Sequence, residues 1–302
     1  MIIQIYEIQT PQEADRCIEL GVTHIGSVIL SQDEWRVPLL RETVRLSRSS
    51  DARSSLIPLF HDRDTVYRAI DYYQPDFIHF CDSLTDSAGT PKNLDAFIRF
   101  QTALKDRFPE VKIVRSIPVP KKGDAPGFPS LEIAKALHTT SDLFLTDTWL
   151  GKAPVEGYIG ITGQTADMEL AGALVRQSDI PVILAGGLSP GNVCDAILAV
   201  RPAGADSCTQ TNQLAEESNP IRFKKDFDKV RGFVEQVRRA EMELREEKEE
   251  LMQRLRKLRE DLKDREAALP AHSVRPHQVL AIEALEDEIE AVERALEGYK
   301  TV

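Results

Sequence analysis

From residue 2 to residue 239 the chain switches eight times between a short β-branched run and a longer segment of helical period. Strand-like runs fall at residues 2–8, 23–30, 54–60, 75–80, 112–118, 143–146, 181–184 and 204–208. A helix-like segment follows each, at 11–20, 37–47, 63–73, 94–107, 130–138, 166–177, 190–200 and 223–239. Strict alternation requires crossover connections and therefore a parallel sheet. Eight units in this length predict an α/β fold closed into a (β/α)8 TIM barrel. Local punctuation agrees: Thr10 precedes Pro11 as an N-cap, and Gly21 stops the same helix. An open doubly wound sheet fits less well, because the first turn, Glu7-Ile8-Gln9-Thr10, has none of the glycines of a dinucleotide fingerprint. No cofactor is expected.

Past Arg239 the pattern changes. Leu244, Leu251 and Leu258 recur every seven residues, as do Leu255, Leu262 and Leu269, and together they form a coiled-coil seam that Lys248 and Arg265 interrupt. A stretch bounded by Pro270 and Pro276 and containing Ala271-His272-Ser273-Val274 breaks the helix. A second seam follows at Val279, Ile282, Leu285, Ile289, Val292, Leu296 and Tyr299. The expected domains are thus a barrel at 1–239 and an antiparallel coiled-coil-like helical hairpin at 240–302. The hairpin either closes on itself or pairs with a second copy as a homodimerisation element.

Charge and cysteine usage narrow the function. The formal net charge is −11, which argues against a nucleic-acid surface and means that a phosphorylated small molecule needs a locally positive pocket. No apolar run reaches the ~18 residues of a membrane helix. The opening Met1-Ile2-Ile3-Gln4-Ile5-Tyr6 enters a strand pattern with no basic region or cleavage site, so no secretory signal is expected. Cys17, Cys81, Cys194 and Cys208 form no CxxC pair, and His24, His138, His272 and His277 form no cluster by spacing. Neither a metal site nor a disulfide framework is expected; reduced thiols in a cytoplasm are.

One stretch carries chemistry in its shape. Pro181-Val182-Ile183-Leu184 reads as a buried strand, Gly186-Gly187 ends it, and Ser189 and Pro190 read as N-cap and first residue of a helix. Bare N–H groups beside a helix start suit a phosphate. A plain strand-to-helix turn needing positive φ gives the same local pattern. Position separates the two readings: this is the seventh unit of eight, and barrel phosphate sites are built from the loops after strands seven and eight.

The run Leu184-Ala185-Gly186-Gly187-Leu188-Ser189-Pro190-Gly191-Asn192-Val193, with Ala196-Ile197, Arg201-Pro202 and Asp206 after it, closely resembles the phosphoribosylanthranilate isomerase family. Gly160-Ile161-Thr162-Gly163-Gln164-Thr165-Ala166-Asp167 is similar to that family's glycine-rich segment, and Leu145-Thr146-Asp147-Thr148 to its strand-six motif. The resemblance covers about residues 1–233, strongly in the second half, and has no counterpart for the tail. It implies a barrel that rearranges a phosphorylated aminoaldose to an aminoketose. It assigns the general acid to Asp147, anthranilate carboxylate binding to Arg36 and substrate contact to Asp206. Phosphate would lie on Gly186, Gly187 and the loop Thr209, Gln210, Thr211.

The departures concern the base. The family's first strand ends in Lys-x-Cys-Gly, whose Cys is the base; here the run is Gln4-Ile5-Tyr6-Glu7. Tyr6 stands at the Cys position, but a phenol titrates near ~10. Glu7 is chemically suited and one residue out of phase, pointing away from the axis on a regular strand. His79-Phe80-Cys81-Asp82 replaces the family's strand-four motif, Ser207-Cys208-Thr209-Gln210-Thr211-Asn212 its strand-eight phosphate loop, and a longer stretch at 213–221 precedes the last helix. His61, Asp62, Asp82 and Arg115 are further candidates for the mouth, Arg115 as a substrate ligand. Three functions stay open: an isomerase with an altered base, a barrel binding another phosphorylated molecule with a changed reaction, and a non-catalytic scaffold whose tail is its partner surface.

Overall fold

A computed structural model describes residues 1–152, 154–215, 219–270 and 275–299. It divides into two compact units, Met1–Arg239 and Ala240–Val302. In the first, the chain runs β1 (Ile2–Ile5), α1 (Pro11–Glu19), β2 (His24–Ile29), α2 (Pro38–Arg48), β3 (Arg53–Pro58), α3 (Arg63–Tyr73), β4 (Phe77–Phe80) and α4 (Asp95–Arg107). It continues with β5 (Lys112–Pro120), α5 (Ser130–Leu137), β6 (Leu143–Trp149), α6 (Met168–Gln177), β7 (Val182–Leu184), α7 (Val193–Val200) and β8 (Gly204–Ser207). These eight strands form a closed parallel barrel in sequence order. It is sealed where Ile2, Ile3, Gln4 and Ile5 of β1 pair with Gly204, Ala205, Asp206 and Ser207 of β8.

Strand alternation sorts the side chains into two layers. Tyr6, Val28, Phe77, Val114, Leu143, Leu145, Ile183 and Ala185 fill the barrel interior. Their neighbours of opposite parity, Ile29, Leu56, Ile78, Phe80 and Ile113, pack outward against Leu40, Val44, Val66, Ile70 and Leu104 of the helices. Each large aliphatic residue buried in this way is worth ~1.5–3 kcal/mol. The helices are capped by side chains where the sequence offers them. Thr10 accepts from Glu13 N at 3.3 Å, and Asp62 accepts from Thr65 N at 2.8 Å.

Three local departures from the expected pattern bear on the site. β6 runs on to Trp149, so Asp147 lies within a strand and not beyond its end. α7 starts at Val193 and not at Pro190. Ser189 makes a tight turn, accepting from Gly191 N at 3.2 Å. Asn192 folds back to accept from Ser189 N at 2.8 Å and donate to Gly187 O at 3.1 Å. The expected helix at 223–239 begins in a strand: an antiparallel pair, β9 (Asn212–Leu214) and β10 (Pro220–Lys225), is inserted after β8. Helix α8 (Phe227–Ala267) follows, with the Asp226 carboxylate accepting from Asp228 N and Lys229 N. Nothing interrupts that helix at Arg239.

In the second unit the latter part of α8 faces α9 (Pro276–Glu297). Leu244, Leu258, Val292 and Tyr299 of the two seams are buried, whereas Val279 is 43% exposed. Arg254 pairs with Glu288, Arg259 with Glu293 at 2.6 Å, and the Tyr299 hydroxyl donates to Glu247 at 2.6 Å. The expected break at 271–274, with His272, lies outside the described residues. No described helix is long and apolar enough to cross a membrane.

Candidate active site

The C-terminal ends of the strands surround a cavity. Val28, Ile57, Leu59 and Leu145 form apolar walls. Polar groups converge from separate elements: Tyr6 and Glu7 after β1, His79 from β4, Asp147 from β6, Gly186 and Gly187 after β7, and Asp206 from β8.

Two of the lining groups are carboxyls, from β6 and β8. Burial pushes Asp147 up to about 7, with only its neighbour's N–H, Thr148 N at 3.0 Å, drawing it back. Burial also pushes Asp206 up to about 7, opposed by the Gln4 amide at 3.1 Å and assisted by the negative charge of Asp147. Burial thus holds both carboxyls above the ordinary carboxylate range. Gly160 of the loop after β6 lies against Asp147, since a Cβ there would fall 2.3 Å from Oδ2.

Tyr6 points inward, as its phase predicts, into a chain of hydrogen bonds. Its hydroxyl lies 2.6 Å from Ser55 Oγ and 2.6 Å from His79 Nδ1, and His79 Nε2 lies 2.8 Å from Ser116 Oγ. Burial, reinforced by the Arg115 charge, pushes His79 down to about 3, so the imidazole is neutral. Burial also raises the Tyr6 phenol well above its ordinary value. A phenol so held keeps its proton at neutral pH.

Glu7 reaches the cavity by a backbone device. β1 ends at Ile5, and Glu7 takes φ 63°, which breaks strand alternation. Burial alone would raise its carboxyl; hydrogen bonds from Asn212, Arg222 and Phe223 N, with the Arg222 charge, outweigh this and hold it low. Their lengths are 3.0 Å from Asn212 Nδ2, 2.7 Å from Arg222 Nε and 3.1 Å from Phe223 N.

On the strand between those of Asp147 and Asp206, Gly186 (φ 101°) and Gly187 (φ 62°) form the turn after β7. A Cβ on the first would fall 2.4 Å from Thr148 Oγ1, and on the second 2.6 Å from the Gln164 carbonyl carbon. Only glycine satisfies both the torsion and the space. Thr209 and Gln210 line the same cavity, Gln210 Nε2 donating to Gly163 O at 3.0 Å. The N–H groups of Gly187, Thr209 and Gln210 have no partner among the described residues, leaving three donors for an anion.

Several sequence candidates lie elsewhere. Arg36 is exposed beside α2 and α3, its guanidinium 4.9 Å over the Tyr72 ring, and does not line this cavity. Arg115 has the wrong strand parity: between the inward Val114 and Ser116 it faces the helices, pairing with Asp82 at 2.7 Å. Asp82 also pairs with His61 at 2.8 Å, whose ring stacks on Tyr158. Asp62 caps α3. Thr211 is buried below the loop, its hydroxyl donating to Cys208 O at 2.9 Å. Sequence reasoning missed the hold of His79 on Tyr6 and of Arg222 on Glu7. The period-two run 221–225 was the signal for Arg222's strand. None of the described residues forms a cluster able to hold a metal ion.

Fold and site together define a (β/α)8 barrel whose cavity at the C-terminal strand ends is lined by Glu7, Asp147, Asp206 and the glycine turn after β7. No family model matches the sequence. Curated relatives do: the N-(5'-phosphoribosyl)anthranilate isomerase of Methanocella arvoryzae is 36% identical over 139 residues, 46% of this chain and 56% of that protein. The enzyme of that name from Haloferax volcanii is 37% identical over 120 residues, 39% and 49% of the two chains. The chain is related to the phosphoribosylanthranilate isomerases, and it spans about half the length of the curated relatives it matches. Among solved structures, the isomerase of that name from Pyrococcus furiosus superposes with a TM-score of 0.54 at 21% identity, over 79% of this chain and 99% of that one. A thiamine phosphate pyrophosphorylase from the same organism gives 0.51 at 15% identity, over 80% and 96%. Both likenesses establish the barrel; the choice of reaction rests on the site.

Proposed function

We propose that the barrel is an isomerase of the phosphoribosylanthranilate isomerase type, converting a phosphorylated aminoaldose to an aminoketose. The observation that carries this reading is that Asp147 and Asp206, both pushed up to about 7 by burial, line the same cavity as the glycine turn after β7 and the Thr209–Gln210 loop. In the reaction, the protonated Asp147 gives its proton to the sugar ring oxygen. The C1–O bond then breaks to leave an iminium. Asp206, ionised, takes the proton from C2, and the resulting enolamine tautomerises to the ketone. Each such group contributes ~10²–10⁴-fold when well placed. Tyr6 and Glu7 are positioning residues in this scheme: the first remains protonated, and the second is committed to three donors. The phosphate sits on Gly186, Gly187, Thr209 and Gln210. The seams of residues 240–302 support a role in self-association.

The test is turnover of N-(5'-phosphoribosyl)anthranilate by the full chain. Conversion is expected, with a bell-shaped pH profile centred near 7 and a loss of at least ~10³-fold in kcat/KM for Asp147→Asn. Absence of turnover at high enzyme concentration, with ribose 5-phosphate still bound, overturns the reading. It leaves a barrel that acts on another phosphorylated molecule, which the Tyr6 ring at the expected thiolate position favours. Absence of any phosphosugar binding leaves the scaffold.

A further inference from the structure

The cavity is acidic where its ligand is anionic. Glu7, Asp147 and Asp206 line it, in a chain of formal charge −11. Among the described lining residues only Arg222 carries a permanent positive charge. N–H dipoles alone are a weak hold for a phosphate dianion among carboxylates, and a nearby cation changes the balance.

Arg222 belongs to β10, directly after the longer stretch at 213–221 where the sequence departs from the family it resembles. Its Nε is tethered to Glu7 Oε1 at 2.7 Å, while its two Nη groups have no partner among the described residues. The guanidinium carbon lies 4.7 Å from the centre of the Phe223 ring. The tether and the ring fix the fork, and the side chain keeps 38% exposure. Ile161, Thr162, Gly163, Thr209, Gln210 and Arg222 line both the main cavity and a second one that reaches Ser189 and Pro190. Arg222 therefore lines the part of the cavity that Thr209 and Gln210 also line.

A second cation from the same strand lies beneath that loop. Lys225 is 2% exposed. Its ammonium donates to Cys208 O at 2.8 Å, Asn212 Oδ1 at 2.5 Å and Thr211 Oγ1 at 3.4 Å. All three acceptors are uncharged, so its charge is not neutralised by direct pairing and its field extends into the loop.

We propose that β10 supplies the cationic half of the phosphate subsite, with Arg222 binding phosphate oxygens through its Nη groups and Lys225 supporting the Thr209–Gln210 donors from below. The inference rests on the reading that this cavity takes a phosphorylated ligand, and does not depend on which reaction follows. Glu7 then serves to aim Arg222. The strand replaces, with side-chain charge, the glycine-rich contacts that the strand-eight loop lacks.

The test is calorimetric titration of the full chain with ribose 5-phosphate and with ribose. Arg222→Gln is expected to weaken ribose 5-phosphate binding at least tenfold and leave ribose unaffected. Arg222→Lys, keeping charge but not the fork, is expected to recover part of the loss, and Glu7→Gln to lose about threefold. Labelling of the wild-type protein with phenylglyoxal needs no variant: ribose 5-phosphate should slow modification of Arg222 at least fivefold, and ribose should not. Unchanged labelling, affinity within twofold in Arg222→Gln, or no ribose 5-phosphate binding by the wild type overturns the proposal. Turnover of phosphoribosylanthranilate with affinity unchanged in Arg222→Gln overturns this proposal alone. Loss of affinity in that variant, without turnover in the wild type, overturns the isomerase reading alone.

Discussion

Asp147 combines burial with a single weak donor, and that combination has a thermodynamic cost as well as a chemical use. An Asp in the unfolded chain titrates near ~3.9, and in the fold Asp147 is pushed up to about 7. Between these values the native state holds a proton that the unfolded state has released, so stability falls as pH rises through this window. Above pH 7 the penalty is complete; below about 4 it is absent. Asp147→Asn removes it. The variant is expected to exceed the wild type by ~1–3 kcal/mol at pH 8, a few °C in Tm, with the difference closing toward pH 4. Thermal melts at several pH values check this, and a pH-independent difference contradicts it. Asp147 was legible as a candidate from its strand-six position. Its charge state was not, because desolvation depends on what the 158–163 loop lays over it. Arg115 illustrates the reverse: its one-residue phase, read together with Val114 and Ser116, decides that it faces the helices.

The turn after β7 is where element-scale geometry is strictest. Gly187→Ala must place a Cβ against the Gln164 backbone at a φ of 62°. It is expected to cost ~1–3 kcal/mol and at least tenfold in ribose 5-phosphate affinity. Gly191→Ala is the control, because the nearest atom to its Cβ is 3.7 Å away, and little change is expected. Urea denaturation and calorimetry read both. The strand–turn–helix order of this unit was legible from the sequence. The start of α7 was not, because Ser189 and Asn192 satisfy one another's neighbourhood in a turn that competes with helix initiation. The β9–β10 pair escaped for a related reason: short two-stranded ribbons carry little intrinsic signal, and this one is held by Glu7, over two hundred residues away in the chain.

On the scale of the whole molecule, Met1–Arg239 and Ala240–Val302 each hold their own contacts. Deletion of residues 240–302 is expected to leave the barrel's circular dichroism and its ribose 5-phosphate affinity unchanged, and to lower the oligomeric mass in solution. Light scattering after size exclusion measures this; an unchanged number of chains per particle counts against self-association through the tail.

Eight alternations of period and two heptad seams were enough to determine a closed parallel barrel with helices added after it, because hydrophobic periodicity is a local property and closure follows from counting units. The glycine pair was likewise marked by its place at a strand end, and Asp147 and Asp206 by the resemblance to a known family. Which of the candidates meet was decided only by the tertiary structure. Inward or outward facing of Arg115, the remoteness of Arg36, the pinning of Tyr6 by Ser55 and His79, and the hold of Arg222 on Glu7 all depend on distances between segments far apart in sequence. Burial and charge at a site are sums over such neighbours, and no stretch of chain carries them alone.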